Sequence, residues 1–183
     1  MTEPAVLCPI CGADNSGRDP FEKYFQKIER KQYSLYRCPG CSVDFSWPMH
    51  NSDFEVYKKI HPERECGFEL KRDWRHEILF RQKFTKKSLL DVGCGYGVLL
   101  YFAKEHGFSV SGLDYSAEKI AVAKQLGITD ARVANVRDLL EKDPGKKWDI
   151  VTLFDVLEHV AEPKELITTI SCLLGKDGYV AIT

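Results

Sequence analysis

Residues 89–100 read LLDVGCGYGVLL, and this stretch decides the fold of the chain. An apolar run ends in three glycines at alternate positions, Gly93, Gly95 and Gly97, and a helix-compatible apolar segment follows them. A strand that turns through glycine into a helix brings backbone N–H groups and a helix N-terminus to one point in space. The stretch therefore predicts a ligand site at the end of a buried strand.

The sequence after this stretch alternates between strand-like and helix-like patterns. Apolar strand-like segments cover residues 88–92, 109–113, 131–134, 148–154 and 179–183. Helix-like segments cover residues 97–106, 117–127, 136–141 and 163–174. Ser116 is a suitable N-cap, and Gly107, Gly127 and Gly175 stand where helices are expected to end. This order predicts an α/β fold with a Rossmann-like, doubly wound parallel sheet, which binds ligands beside its first strand.

Two Cys-x-x-Cys pairs lie upstream, and their four thiols are Cys8, Cys11, Cys38 and Cys41. Four thiolates at this spacing suit a closed, tetrahedral Zn²⁺ site with a structural role. The segments 24–29 and 32–37 read as short strands, so the pattern predicts the hairpin of a zinc ribbon. Four unrelated core cysteines are the alternative, and His50 and His61 are substitute ligands that nothing requires.

The segment between the cysteine pairs and the glycine turn is aromatic and then amphipathic. Phe45, Trp47 and Pro48 are expected to pack the ribbon onto its neighbour. Residues 68–84 predict an amphipathic helix with an apolar face formed by Leu70, Trp74, Ile78, Leu79 and Phe80. We interpret its basic face as solvated, with nucleic-acid binding as the alternative. The expected domains are a zinc ribbon over 1–50, a helical linker or lid over 51–85 and a core over 86–183.

The composition is that of a globular protein, with 44% hydrophobic and 29% charged residues. The sequence has no apolar run of the roughly 20 residues that cross a bilayer, and its N-terminus lacks the pattern of a signal peptide. We therefore expect a cytoplasmic protein whose seven cysteines are thiols or metal ligands. The net charge of −1 gives no argument for a nucleic-acid partner.

The residues around the glycine turn discriminate between ligand classes. Gly93 and Gly95 fit a dinucleotide motif, but Val98 stands where that motif needs its third glycine. Asp91, directly before the turn, is poorly placed for a pyrophosphate and suits a cationic ligand. Asp114 ends the second predicted strand and can accept from both hydroxyls of a ribose. A ribose with a cationic group and no phosphate describes S-adenosylmethionine.

Three motifs, DVGCGYG at 91–97, GLDYS at 112–116 and FDVLEHV at 154–160, resemble those of class I S-adenosylmethionine-dependent methyltransferases. The resemblance covers residues 86–183 and extends to bacterial members with an N-terminal zinc-ribbon domain. It implies a cofactor site made of residues from all three motifs and from the end of the third strand: Asp91, Gly93, Cys94, Gly95, Gly97, Asp114, Tyr115, Asn135, Val136, Phe154 and Asp155.

The resemblance assigns a role to most of these residues. Asp91 and the backbone of the turn would hold the methionyl amine and carboxylate. Asp114 would hold the ribose, and Tyr115 would cover the adenine. The Asn135 oxygen would accept from the adenine amine, and the Val136 N–H would donate to a ring nitrogen. Phe154 and Asp155 would line the pocket near the sulfonium, whereas Cys94 is expected to be a small turn residue and not a nucleophile.

Glu158 and His159 are the candidates for chemistry. Methyl transfer is an SN2 displacement that depends chiefly on alignment, and His159 is suited to deprotonate an acceptor. A second interpretation makes Asp155, Glu158 and His159 metal ligands on one helical face. A third gives Glu158 and His159 only a capping and packing role, or contact with the substrate. The sequence leaves the three open.

The resemblance implies a small-molecule acceptor, such as a sugar, a lipid or another metabolite. RNA bound through the ribbon and the basic helix is one alternative, and a non-catalytic scaffold of the same fold is another. The sequence does not predict the oligomeric state. Because the fold normally continues into two further strands after its fifth, we expect a longer protein or a partner that covers the edge strand.

Overall fold

The computed structural model describes residues 4–27, 30–49, 68–85 and 87–183. The chain divides into two compact units, Met1–Gly67 with His159–Lys164 and Phe68–Glu158 with Glu165–Thr183. Residues 68–85 therefore group with the core, whereas the sequence predicts a separate linker over 51–85. Its part over 51–67 lies outside the described residues, as do His50 and His61. No helix in the described ranges is long and apolar enough to cross a membrane.

The first unit contains a small antiparallel sheet in the order β1-β2-β3. Its strands are β1 (Glu22–Gln26), β2 (Lys31–Arg37) and β3 (Asp44–Trp47). The predicted hairpin is present, and the third strand is a feature that the sequence analysis missed. Phe45 on β3 is buried with Cys8 and Cys38. The aromatic segment thus contributes Phe45 to the core of the ribbon itself.

The second unit is an α/β domain built on five strands. The strands are β4 (Ser88–Val92), β5 (Ser109–Asp114), β6 (Ala131–Val133), β7 (Trp148–Leu153) and β8 (Leu174–Ile182). The helices are α1 (Trp74–Arg81), α2 (Val98–Glu105), α3 (Ala117–Gln125), α4 (Val136–Lys142) and α5 (Pro163–Ser171). All strand pairs are parallel, in the order β6-β5-β4-β7-β8. The predicted doubly wound sheet is confirmed.

The apolar core lies on both faces of this sheet. Leu89 belongs to one buried cluster and Leu90 to the other, because consecutive strand residues point to opposite faces. Ile150 and Val151 on β7 divide in the same way. Continuous apolar strands of this kind require helices on both sides. Because helices cover both faces, a ligand is expected at the carboxyl ends of the strands, beside the neighbouring strands β4 and β7.

Helix α1 is shorter than the predicted segment over 68–84. It begins after Asp73, whose carboxylate accepts from the N–H groups of Arg75 (2.9 Å) and His76 (3.3 Å). This cap sets a different buried face from the predicted one. His76 and Leu79 are buried, whereas Trp74 is 64% exposed and Ile78 is 53% exposed. The predicted apolar face is therefore wrong at Trp74 and Ile78.

The ends of the last helix and the last strand also differ from prediction. Gly107 and Gly127 have φ angles of 80° and 84° and lie just after helices, as predicted. Gly175 does not end a helix, because α5 ends at Ser171 and Leu174 already pairs with Trp148 of β7. Strand β8 therefore begins at Leu174 and not at residue 179.

Candidate functional site

The glycine turn connects β4 to α2 and has φ angles of 75°, 53° and 78° at Gly93, Gly95 and Gly97. Only glycine adopts this left-handed backbone readily. A Cβ on Gly93 would lie 2.6 Å from Val156 Cγ2, and one on Gly97 would lie 2.9 Å from Ala123 Cβ. A Cβ on Gly95 would meet no atom within 4 Å. Side chains from other parts of the domain thus pack against Gly93 and Gly97, whereas Gly95 faces open space beside the turn.

Cys94 points into the protein from the same turn. Its side chain is buried, and burial raises the pKa of the thiol. A Cβ on Gly112 of β5 would lie only 2.8 Å from Cys94 Sγ, which explains why glycine stands at that position of the second motif. A buried thiol with a raised pKa is a poor nucleophile. The geometry agrees with the predicted turn role of Cys94.

Asp91 lies on β4 directly beneath the turn and is only 5% exposed. Thr152 Oγ1 on β7 donates to Asp91 Oδ1 over 2.6 Å. Burial raises the pKa of this carboxyl to about 7, and the hydrogen bond from Thr152 acts in the opposite direction. A buried carboxylate of this kind gains most from a cationic partner.

Asp114 ends β5, the neighbouring strand, and its carboxylate lies against the glycine turn. Its Oδ2 accepts from the Gly95 N–H and its Oδ1 from the Ser116 N–H, both over 2.8 Å. The Gly95 N–H, which a phosphate would need, is therefore already bonded to a carboxylate. Each carboxylate oxygen keeps a lone pair for a further donor. Tyr115, the next residue, is 74% exposed.

The end of β7 carries Phe154 and Asp155, which contact an arginine from α1. Arg75 Nη1 donates to Asp155 Oδ2 over 2.6 Å, and the guanidinium carbon of Arg75 lies 5.5 Å from the centroid of the Phe154 ring. Asp155 is exposed and has a φ of 55°, a strained value for a non-glycine residue. The left-handed turn aims this carboxylate at Arg75.

Arg75 is a candidate for the cofactor site that the sequence analysis missed, because it considered the basic face of this helix only as solvated or bound to nucleic acid. Its Nη2 also donates to Asp73 Oδ2 over 2.6 Å, and its charge lowers the pKa of Asp91. Arg72 is also engaged, because its guanidinium carbon lies 4.8 Å from the Phe102 ring centroid. The interpretation of this basic face as solvated is therefore wrong for Arg75, whose side chain is 22% exposed, whereas Arg72 is exposed to solvent. Asp73 two residues before Arg75 was the signal that could have revealed the cap.

A second missed contact lies beside the turn. Tyr96, between Gly95 and Gly97, stacks on Phe68 with ring centroids 5.2 Å apart and planes 22° apart. Phe68 precedes α1, so this aromatic pair joins the segment before that helix to the glycine turn. No periodic pattern marks such a pair, since Phe68 lies outside any helix or strand.

Asn135 and Val136 lie at the start of α4. Asn135 is its N-cap, and its Oδ1 accepts from the Asp138 N–H over 2.9 Å in a capping box. The oxygen assigned to adenine thus has a structural partner. Val136 is buried in the core, and its N–H stands in the first turn of the helix, where N–H groups lack helical partners. The adenine contacts of both residues stay predictions.

Glu158 and His159 lie on a short 3₁₀ turn, Leu157–His159. Glu158 is exposed and His159 is half-buried. Asp155 lies outside this turn, so the helical face on which the metal interpretation depends does not form. Among the described residues, the group of side chains whose ligand atoms could share a metal is formed by the cysteines of the ribbon.

The ligand atoms of Cys8, Cys11, Cys38 and Cys41 all lie within 4.8 Å of one another. The Sγ atoms of Cys8 and Cys41 are 3.6 Å apart and those of Cys11 and Cys38 are 3.4 Å apart. Tetrahedral zinc with bonds of about 2.3 Å places sulfurs about 3.8 Å apart. The donor set and its spacing fit Zn²⁺.

The two cysteine knuckles have the same backbone geometry. Gly12 N donates to Cys8 O and Ser42 N donates to Cys38 O, both over 2.9 Å. Gly12 and Ser42 have φ angles of 75° and 62°, so each small residue after the second cysteine makes the same left-handed turn. Burial opposes ionisation of Cys38, but nearby backbone N–H groups outweigh it and lower the pKa of this thiol to about 6. At Cys41 a backbone hydrogen bond favours ionisation, but burial and the neighbouring thiols outweigh it and instead raise the pKa of Cys41 to about 12.

Comparisons with known proteins connect this geometry to a family. The methyltransferase domain family matches residues 64–183. The ubiquinone biosynthesis O-methyltransferase of Dechloromonas aromatica (strain RCB) is 33% identical over 142 residues, which cover 75% of this chain and 56% of that protein. The chain thus spans about half the length of the curated relatives it matches.

Solved structures show the same fold. The sugar N-methyltransferase KedS8 from Streptoalloteichus sp ATCC 53650 is 26% identical, with a TM-score of 0.53 over 72% of this chain and 54% of that chain. The plantazolicin methyltransferase BpumL in complex with SAH is 22% identical, with a TM-score of 0.55 over 72% of this chain and 53% of that chain.

Proposed function

The chain belongs to the methyltransferase domain family, and we propose that it transfers a methyl group from S-adenosylmethionine to a small-molecule acceptor. The observation that carries this proposal is the pair of carboxylates at the glycine turn. Asp91 lies buried beneath the turn, and Asp114 binds the Gly95 N–H. This arrangement repels a pyrophosphate and favours a ligand with a cation and a ribose.

Each residue at the strand ends binds a different group of the cofactor. The Asp91 carboxylate binds the ammonium group, and the Asp114 carboxylate accepts from the ribose hydroxyls. Arg75 is a cation beside the same strand ends, at 2.6 Å from Asp155, and it is suited to take the carboxylate of the methionyl group. Tyr115 covers the adenine with its exposed ring, and the Val136 N–H donates to a ring nitrogen.

Bound S-adenosylmethionine supplies an electrophilic methyl group on a sulfonium. The protein's own contribution is alignment, which can account for several kcal/mol of a displacement barrier. Asp91 and Asp114 orient the donor from two neighbouring strands, and Phe154 and Asp155 line its methyl end. His159, four residues after Asp155 in the sequence, takes the proton of a hydroxyl or amine acceptor.

The acceptor class rests on the comparisons. The similar proteins named above are an O-methyltransferase of ubiquinone biosynthesis and a sugar N-methyltransferase. A small hydroxyl or amine acceptor is the class that these names share. An RNA acceptor has less support. The basic residues that would bind it, Arg72 and Arg75, contact aromatic rings and carboxylates of the protein itself.

Zn²⁺ completes the proposal as a structural ion in the ribbon. Cys8, Cys11, Cys38 and Cys41 would hold it and leave no open position for substrate. Thiols gathered for a metal, and not paired as disulfides, suit the reducing cytoplasm, which we propose as the location.

Calorimetry with S-adenosylmethionine, followed by methyl transfer from a labelled donor to a metabolite pool, tests the function. We expect binding together with turnover, and His159→Gln should lower kcat while the cofactor Kd stays unchanged. Glu158→Gln distinguishes the two candidates for chemistry, because it should leave kcat near that of the wild type if His159 alone is the base. Absence of cofactor binding by folded protein would disprove the proposal, and binding without turnover of any acceptor would favour the scaffold alternative.

A further inference from the structure

Thr152 is a buried hydroxyl in an otherwise apolar strand. It is 0% exposed, and its neighbours Ile150, Val151 and Leu153 belong to the two apolar clusters. It pairs directly with Asp91 across the β4–β7 ladder. Its single proton has two acceptors in range, Leu90 O at 3.4 Å and Asp91 Oδ1 at 2.6 Å. The shorter contact assigns the proton to Asp91.

This hydrogen bond makes the two oxygens of the Asp91 carboxylate different. Oδ1 accepts from Thr152. Oδ2 has no hydrogen bond to any part of the chain that the structure describes. A carboxylate held through one oxygen on a rigid strand pair has a defined orientation, and its second oxygen remains for a ligand.

We propose that Thr152 is a positioning residue for methyl-donor binding, which holds the Asp91 carboxylate through Oδ1 and leaves Oδ2 for the ammonium group of the cofactor. The inference rests on the proposed function, because it assumes that Asp91 binds a cation. It adds a residue of β7 that touches neither the donor nor the acceptor.

The surroundings of Asp91 show why one hydroxyl matters. Burial and the charge of Asp114 on β5 raise the pKa of Asp91, whereas Thr152 on β7 and Arg75 on α1 lower it. The Cys94 thiol of the turn is neutral, since its pKa is raised. With a pKa of about 7, Asp91 is only partly ionised near neutral pH. Loss of the Thr152 hydroxyl moves this pKa upward, so the carboxyl is more protonated at pH 7 and attracts a cation less.

The test compares Thr152→Val with Thr152→Ser in the full chain. Calorimetry with S-adenosylmethionine at pH 6, 7 and 8 should show affinity about ten- to a hundredfold weaker at pH 7 for T152V, the range expected for a lost hydrogen bond to a charged group. The difference in affinity between T152V and the wild type should become smaller toward pH 8, because Asp91 is then ionised in both. T152S should stay close to the wild type. The cofactor's own amine titrates alike in every sample, so the difference between variants belongs to the protein.

A ligand-free measurement separates this inference from the proposed function. The carboxyl carbon of Asp91, followed by NMR against pH, should titrate at higher pH in T152V than in the wild type or T152S. Cofactor binding with equal affinity by wild type and a folded T152V at every pH would overturn the inference and leave the function intact. Equal weakening by T152S would also overturn it, because shape and not the hydroxyl would then be responsible. A shifted Asp91 titration with no cofactor binding by the wild type would defeat the proposed function and, with it, the role assigned to Oδ2.

Discussion

The cysteine cluster and the glycine turn are both built on left-handed backbone turns. They differ in how far apart in the sequence the side chains that form each site lie. Each knuckle supplies two thiols within four residues, and its turn residue, Gly12 or Ser42, has a φ near 70°. The site at the glycine turn instead combines carboxylates at the ends of β4, β5 and β7 with an arginine from α1 that pairs with Asp155. A local site can be recognised from spacing, whereas a dispersed site depends on topology.

The difference also lies in chemistry. Four identical thiols specify a soft metal almost alone. At the glycine turn no single group specifies the ligand. Asp91 contributes a buried negative charge, Asp114 contributes two acceptor oxygens, and Gly95 contributes open space. The combination of these groups defines the ligand. A single substitution at the glycine turn should therefore lower cofactor affinity only in part, whereas a single substitution in the cysteine cluster should abolish metal binding.

The largest effect is expected at the cysteine cluster. Cys38→Ser removes one of four ligands, and structural zinc in zinc-finger peptides contributes about 10–16 kcal/mol of apparent binding free energy that is also folding free energy. We expect zinc content to fall from one ion per chain to near zero. Hydrogen exchange should show that the amides of β1, β2 and β3 lose protection.

Cys172→Ser is the matched control, because Cys172 is an exposed thiol outside the cluster. It should keep both zinc and amide protection. A wild-type chain that is purified without metal and keeps protected β1–β3 amides in chelator would contradict the structural role of zinc.

The next largest effect is expected at Asp114. Asp114→Ala removes the acceptor for the ribose and the partner of the Gly95 N–H. Two charge-assisted hydrogen bonds at about 1.5–3 kcal/mol each correspond to a loss of about 100-fold or more in S-adenosylmethionine affinity, measured by calorimetry.

Asp130→Asn is its control. Asp130 is also a hydrogen-bonded carboxylate, paired with Lys146 and Arg132, but it precedes β6 at the amino edge of the sheet. It should change stability and leave cofactor affinity near that of the wild type. Equal losses in both variants would show that Asp114 acts through the fold and not through the ligand.

Arg75 should have an intermediate effect on the same site. Arg75→Ala removes the cation that pairs with Asp155 and that lowers the pKa of Asp91. We expect about tenfold weaker cofactor binding, as for loss of one charge-assisted contact. The rise of affinity with pH should also move to higher pH, because Asp91 then ionises later.

Arg72→Ala provides the comparison within the same segment, since Arg72 packs on Phe102 and lies 3.8 Å from Glu77. Calorimetry at several pH values should leave Arg72→Ala near the wild type. If the two arginine variants bind alike, the contact between Arg75 and Asp155 does not serve the cofactor.

These expectations also show what the sequence could and could not predict. Asp91, Asp114 and Asp155 each lie at or just after the carboxyl end of a predicted strand, so a parallel sheet of these strands was enough to bring them to one edge. Arg75 belongs to a helix whose start was misplaced, because Asp73 caps it and the predicted apolar period began too early at residue 68. A helix shifted by its cap turns a different face to the core, and periodicity alone does not reveal this.

Contacts between side chains of different strands were also beyond the sequence. Thr152 reads as one residue of an apolar strand, and only the register of β4 and β7 places its hydroxyl on Asp91. Asn135 was assigned to the cofactor from its place after β6, and the structure shows the capping bond that the same residue makes. Local capping competes with ligand binding for the same atoms.

The smallest effect should separate the glycines of the turn from one another. Gly97→Ala places a methyl group 2.9 Å from Ala123 Cβ at a φ of 78°, and it should lower the free energy of unfolding by about 1–3 kcal/mol. Gly95→Ala meets no atom within 4 Å, so we expect a loss of about 1–2 kcal/mol from left-handed strain alone. Its methyl group enters the open space beside the turn, however, so cofactor affinity should fall more in Gly95→Ala than in Gly97→Ala. Denaturant titration and calorimetry on both variants measure the two effects, and a larger affinity loss in Gly97→Ala would place the ligand on the other side of the turn.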